Sequence, residues 1–272
     1  MQKTMSIKFH SDVQHIEVLQ RLRDKIFKLK FSPETHNGGI EYTSLMNSFL
    51  LQNLSHADTL LHLLASFGKE WFPTTVGYVI VRPMFELDIH AHYISKQPSE
   101  YSKLYIDFEK ITRYNQMMAV QKHVNSNNES WEMGMKFLWN NVWNPIQMQI
   151  TEEYHSVISC FSKKSKSGKV VPFQNWIGKS TRQMSIEVDH EEAYDLFYSE
   201  LSSFTHVDVN LANRFLRLNN DGITWTTKAN QFDRGNVFRY ASTFLTCFLE
   251  LFGREFNTWT EEDIHDCWIV KI

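Results

Sequence analysis

Apolar residues recur along this chain at intervals of three and four, the period of a helix that buries one face. Ile16, Leu19, Leu22, Ile26 and Leu29 make the first such stripe; Ser11 and Asp12 offer caps before it and Ser32-Pro33 ends it. After Gly38-Gly39 a second helix is predicted from about Glu41 to Phe67, seamed by Leu45, Phe49, Leu50, Leu54, Leu60, Leu61 and Leu64 and closed by Gly68. Trp71 to Ser95 reads as a third, distorted near Pro83, and Pro98 to about His123 as a fourth. Glu129 to Phe161 is predicted as one long aromatic helix with Trp131, Phe137, Leu138, Trp139, Val142, Trp143 and Ile146, kinked at Pro145. Two shorter helices follow at Ser180–Glu187 and His190–Thr205, and a last one at Phe238–Phe252, stopped by Gly253.

Two stretches break the helical period. From Lys163 to Lys179 Gly, Ser, Lys and Pro dominate, which predicts a linker or mobile loop. Asn219-Asn-Asp-Gly222 lies between β-branched and aromatic residues, so a small hairpin is expected at 215–227, the only good strand signal. The fold class is therefore mainly α, a multi-helix bundle with that hairpin. A single helical domain over 1–272 is the simplest organisation, ending in the hairpin and helix of 211–272.

Composition narrows the function. There are 28 basic and 31 acidic residues, a net charge of -3, so no overall cationic field would hold the chain on nucleic acid or an anionic membrane. No apolar run approaches the roughly 20 residues of a spanning helix, and the N-terminus has no signal-peptide pattern, so a cytoplasmic protein without a membrane partner is expected. Cys160, Cys247 and Cys267 are odd in number and set among apolar residues, which predicts buried free thiols in a reducing compartment. Phosphate-binding glycine loops, a nucleophile elbow and a zinc helix motif are all missing, and no cofactor is expected. His90 and His92 point about 200 degrees apart on a helix, and Asp88 with His92 supplies two ligands only, so no metal site is expected.

What remains is polar. Arg82, Glu86 and His90 follow at i, i+4 and i+8 on a helix otherwise built from Val79, Ile80, Val81, Met84, Phe85, Leu87 and Ile89. They form either a solvated face with an ordinary ion pair or a cleft-lining cluster that needs partners. In His190–His206, Asp195, Ser199, Ser202 and His206 share a side, opposite Ala193, Leu196, Phe197, Leu201 and Phe204. His206, at the helix terminus, is placed either to cap the last carbonyls or to carry chemistry.

These stretches, with Trp176-Ile-Gly-Lys-Ser180 and Tyr194-Asp-Leu-Phe-Tyr198-Ser-Glu-Leu-Ser202-Ser-Phe-Thr-His206, resemble a bacterial and archaeal family, domain of unknown function 5677 (DUF5677), over about residues 45 to 210. That layout is similar to the HEPN superfamily, whose members include RNase toxins and antiphage effectors. The resemblance implies an RNA-targeting effector of a bacterial defence or toxin system, acting as a metal-independent endoribonuclease. The chain departs from the HEPN arrangement of an arginine four to six residues from the histidine, since Glu200, Leu201 and Ser202 precede His206.

Such an RNase needs a base, an acid and a cation for the phosphate. His206 would serve as base or acid, Arg82 would bind the phosphate, and Glu86 would orient either, with Ser203 beside them. Lys163, Lys164, Lys166, Lys169, Lys179 and Arg182 form a run without an acidic residue, and Trp176 could stack a base, which together suit RNA binding. The alternative is a noncatalytic helical protein–protein interaction module, bound to a protein partner or a second copy, in which the same polar cluster only fixes helix packing.

Overall fold

The computed structural model describes residues 11–29, 36–125, 132–164, 170–205, 216–219, 222–225 and 231–269. The protein is mainly α, and it divides into two compact units: residues 1–96 with 181–272, and residues 97–180.

The larger unit contains α1 (Asp12–Phe27), α2 (Gly39–Trp71) and α3 (Thr74–Ser95) from before the break. Ser11 caps α1 by a capping box: its hydroxyl accepts from the Gln14 backbone while the Gln14 side chain returns to the Ser11 N–H. Gly68 lies inside α2 at φ 67°, where the helix kinks before its last residues, so the expected stop is a bend instead. α3 runs through Pro83 as one helix. From the second stretch come α7 (Thr181–Glu187), α8 (Glu191–Ala193), a π turn at Tyr194–Tyr198, α9 (Ser199–Thr205), α10 (Gln231–Phe256) and α11 (Glu261–His265).

α10 is the axis of this unit. Val237, Phe238, Ala241, Phe244, Leu245, Phe248, Leu249 and Phe252 are all buried along it, and α1 and α3 pack on it. It does not stop at Gly253. A Cβ there would lie 2.6 Å from the Trp259 carbonyl oxygen, so this glycine admits the returning chain while the helix continues to Phe256.

The smaller unit contains α4 (Pro98–Val124), α5 (Glu132–Leu138), α6 (Gln147–Val157) and a two-stranded antiparallel sheet of β1 (Ser162–Lys164) and β2 (Val170–Pro172). Ile111, Val157 and Phe161 form its core with Leu104, Phe108, Tyr154, Ile158 and Phe173. Between α5 and α6 lie a π turn (Trp139–Trp143) and a 3-10 turn (Asn144–Ile146) carrying Pro145, so the expected long helix is a succession of turn types. Of the apolar residues expected along it, Phe137, Leu138 and Val142 are exposed, whereas Trp139, Trp143 and Ile146 are partly shielded; Trp131 lies outside the described residues.

β1–β2 corrects the reading of 163–179 as a loop without structure, because Val170 and Val171 give the segment strand material that the lysines mask. A second antiparallel pair, β3 (Leu216–Asn219) with β4 (Gly222–Trp225), is the hairpin expected at 215–227. All three thiols are free, yet Cys160 is exposed and Cys247 only partly shielded; Cys267 alone is buried as expected. Among the described residues no helix is long and apolar enough to cross a membrane.

Candidate functional site

Two polar features of the larger unit start on α3. Arg82 Nε donates to Glu86 Oε1 at 3.0 Å, the i, i+4 pair expected of their spacing. Arg82 Nη2 reaches the Tyr198 hydroxyl at 3.1 Å, and the guanidinium carbon lies 5.3 Å from the centre of that ring. Burial works against the Arg82 charge, but Glu86 and the Tyr198 hydroxyl outweigh it and hold the guanidinium ionised more firmly than usual. The two distant motif stretches therefore meet in space.

Tyr198 reaches Arg82 because of the π turn. One wide turn at Tyr194–Tyr198 rotates the following residues, stacks Tyr194 on Tyr198 at 4.5 Å and brings both rings about 6 Å from Phe85. Leu196, expected on the apolar side, is turned to water and 66% exposed, while Leu201 and Phe204 beyond the turn are buried. An ideal-helix projection misplaces Leu196 for that reason.

Glu200 was not expected to matter. Its two carboxylate oxygens accept from Tyr78 at 3.1 Å and Tyr240 at 2.6 Å, joining α3, α9 and α10. Burial, then the hydrogen bond and charge of Glu200, push the Tyr240 phenol up to about 12; Tyr78, stacked on Phe204 at 3.8 Å, is raised as well, first by burial. Ser203 donates to the Glu200 carbonyl at 2.7 Å, an ordinary local bond. His90 loses its charge by burial, pushed down to about 4. His206 lies outside the described residues, as do Lys166 and Lys169.

The expected RNA-binding residues are less consistent. Lys163 is exposed on β1, Lys164 is the last residue of that strand, and Lys179 is partly shielded. Trp176 corrects expectation: it is 4% exposed, edge-on to Tyr101 and Tyr105 at 6.0 and 5.5 Å, so its ring is a core residue of the smaller unit and has no free face for a base. Arg182 is exposed but bridges Glu191 at 2.9 Å and Asp195 at 3.3 Å, acids that follow it in sequence beyond the basic run. A cleft lies elsewhere, between the start of α1 and the start of α10, with Asp12, His15, Asn236 and Arg239 on its walls.

On another side of α3, Asp88 is 1% exposed and His92 follows one turn later. The expected two-ligand limit falls here, because the turn after α7 delivers His190. Candidate donor atoms of Asp88, His92 and His190 all lie within 4.8 Å of one another. His92 Nδ1 is 3.1 Å from Asp88 Oδ1 and His190 Nε2 is 3.5 Å from Oδ2. Burial alone would raise the Asp88 pKa, but the two imidazoles outweigh it and hold it low; His190 is raised against its own burial by that carboxylate. Nothing in the spacing of residues 88, 92 and 190 announces this meeting.

A protein-family model described as a family of unknown function (DUF5677) matches residues 44–223. The chain belongs to this family. Arg82, Glu86, Tyr198 and Glu200 all fall within the DUF5677 region, as do Asp88, His92 and His190. No curated protein and no solved structure matched the chain.

Proposed function

We propose that this DUF5677 chain is a noncatalytic helical protein–protein interaction module in which Arg82, Glu86, Tyr198 and Glu200 fix α3 against α9 and α10. The observation that carries this reading is that the polar groups answer one another: Arg82 serves Glu86 and Tyr198, Glu200 serves two buried tyrosines, and Ser203 serves its own helix. A phosphate would have to compete with these bonds for the guanidinium.

Exposed apolar residues of the smaller unit support a protein partner. Met133, Phe137, Leu138, Val142 and Met148 are exposed, and between residues 133 and 149 the one charged residue is Lys136. A row so poor in charge suits a protein segment carrying aliphatic and aromatic side chains, not a polyphosphate.

The second reading, a HEPN-like RNA-targeting RNase, is favoured by one observation. The Arg82 and Glu86 side chains keep 21% and 34% of their surface in water, and α9 ends at Thr205, the residue before His206. One experiment separates the two: purified wild type, Arg82→Ala and His206→Ala are compared in thermal melts and in an RNA-cleavage assay. The module reading expects no cleavage by any of them and a lowered melt for Arg82→Ala. Cleavage by wild type that is lost in His206→Ala, at unchanged stability, establishes the nuclease instead.

A further inference from the structure

We propose that Asp88, His92 and His190 form a binding site for one zinc-class divalent cation, with the fourth position left to water. The site is independent of the Arg82 cluster and of the function proposed above.

The first support is the carboxylate itself. Asp88 is buried, and among the described residues its carboxylate oxygens meet two imidazoles, His92 Nδ1 at 3.1 Å and His190 Nε2 at 3.5 Å, neither aligned as a full hydrogen bond. Both imidazole nitrogens belong to residues that can ligate a metal. A buried carboxylate in that condition carries a desolvation cost that a coordinated cation removes.

The second is the setting of His190. Its Nδ1 lies 2.7 Å from the Val188 carbonyl, so a neutral ring keeps its proton there and turns the Nε2 lone pair toward Asp88. A backbone carbonyl holding the far nitrogen is the usual support of a metal-binding histidine. The backbone is set for it too: Asp189 adopts φ 60°, and the His190 N–H donates to the Ser185 carbonyl at 2.8 Å. On α3 the His92 ring stands 4.6 Å from the His190 ring; its Nδ1 lies 3.0 Å from the Asp88 carbonyl oxygen and 3.1 Å from Oδ1, so a cation bound at Nδ1 takes the place of a proton there.

Distance and donor type select the ion. Ligands about 2.1 Å from a tetrahedral zinc stand roughly 3.4 Å apart, so donors within 4.8 Å of one another close on an ion by side-chain adjustment alone. Two imidazoles with one carboxylate suit zinc and its neighbours, whereas magnesium and calcium prefer oxygen throughout. Both imidazoles keep about a fifth of their side chains in water, which gives the ion an entrance.

The competing account of the same distances is a protonated histidine paired with Asp88, with no ion involved. The full chain, stripped with a chelator, is therefore titrated with Zn2+ by calorimetry and with Co2+ by visible absorption. One ion per chain is expected, with the ligand-field bands of four-coordinate Co2+. His190→Ala and His92→Ala, whose rings sit at the entrance, should weaken binding by about 100-fold or more, beyond the usual loss from an outer partner. Arg82→Ala should bind as wild type does. Absence of stoichiometric binding, or undiminished binding in both histidine variants, overturns the proposal in favour of the ion pair. Circular dichroism of the histidine variants keeps a folding defect from passing as a lost ligand.

Discussion

Helix α3 carries two polar clusters two residues apart that solve the same physical problem differently. Glu86 and Asp88 point roughly 200° from each other around the helix, so each looks into a different part of the larger unit. At Arg82 and Glu86 the groups stay partly in water and each has a hydrogen-bond partner. At Asp88 the carboxylate is fully enclosed, and its partners are two imidazoles at 3.1 and 3.5 Å. The first arrangement is complete within the protein and acts as a clamp. The second is complete only with a cation or a proton.

The largest expected break in the clamp is at Glu200. Glu200→Ala removes the carboxylate to which the Tyr78 and Tyr240 hydroxyls donate and should destabilise by about 3 kcal/mol, since a hydrogen bond to a charged group is worth roughly 1.5–3 kcal/mol. Chemical denaturation measures it, and a loss below about 1 kcal/mol would mean that Glu200 does not join the helices.

Alkaline pH should loosen the same joint. Tyr240 titrates at about 12 when folded against 10.0 for a free phenol, so the folded chain holds its proton more tightly. Its contribution is complete below pH 10 and lost as pH rises from 10 to 12, at most about 2–3 kcal/mol at 1.36 kcal/mol per unit. Denaturation midpoints across that window should fall less steeply in Tyr240→Phe than in wild type. Equal slopes would show that burial and Glu200 together do not hold the phenol's proton.

Arg82→Ala should cost less, about 1–2 kcal/mol, because its partners reach water and recover part of their solvation. Arg82→Lys, which keeps the charge and loses the planar fork, should recover only part of that in urea denaturation. Full recovery would make charge alone the clamp. The smallest effect belongs to Leu196 in the π turn: Leu196→Ser should change stability by no more than about 0.5 kcal/mol, against about 2–5 kcal/mol for the control Leu201→Ala in the buried face of α9. Reversed magnitudes in thermal melts would place the register shift elsewhere.

The helices were legible in the sequence because a stripe such as Ile16, Leu19, Leu22 and Ile26 needs no knowledge of its neighbours. The Arg82–Glu86 pair was legible for the same reason, being local. Leu196 was misplaced because hydrophobic spacing cannot reveal one extra residue in a turn. Trp176 misled because a tryptophan in a lysine-rich stretch looks available until Tyr101 and Tyr105 are seen to enclose it. Glu200 and His190 were silent: Tyr78 and Tyr240 reach Glu200 from 122 and 40 residues away, and Asp88 is 102 positions before His190. Such meetings belong to tertiary structure, and no local periodicity encodes them.

The contrast between the two clusters is tested most directly by one set of thermal melts, taken on wild type, Arg82→Ala and His190→Ala with and without excess Zn2+. At about 100 times the dissociation constant the ion should raise the wild-type midpoint by roughly 5–10 °C. Arg82→Ala should start lower and rise by the same increment, while His190→Ala, binding about 100-fold or more less tightly, should rise by no more than about 1–2 °C. An equal Zn2+ response in His190→Ala, or its loss in Arg82→Ala, would contradict the separation of a self-sufficient clamp from a site that a cation completes.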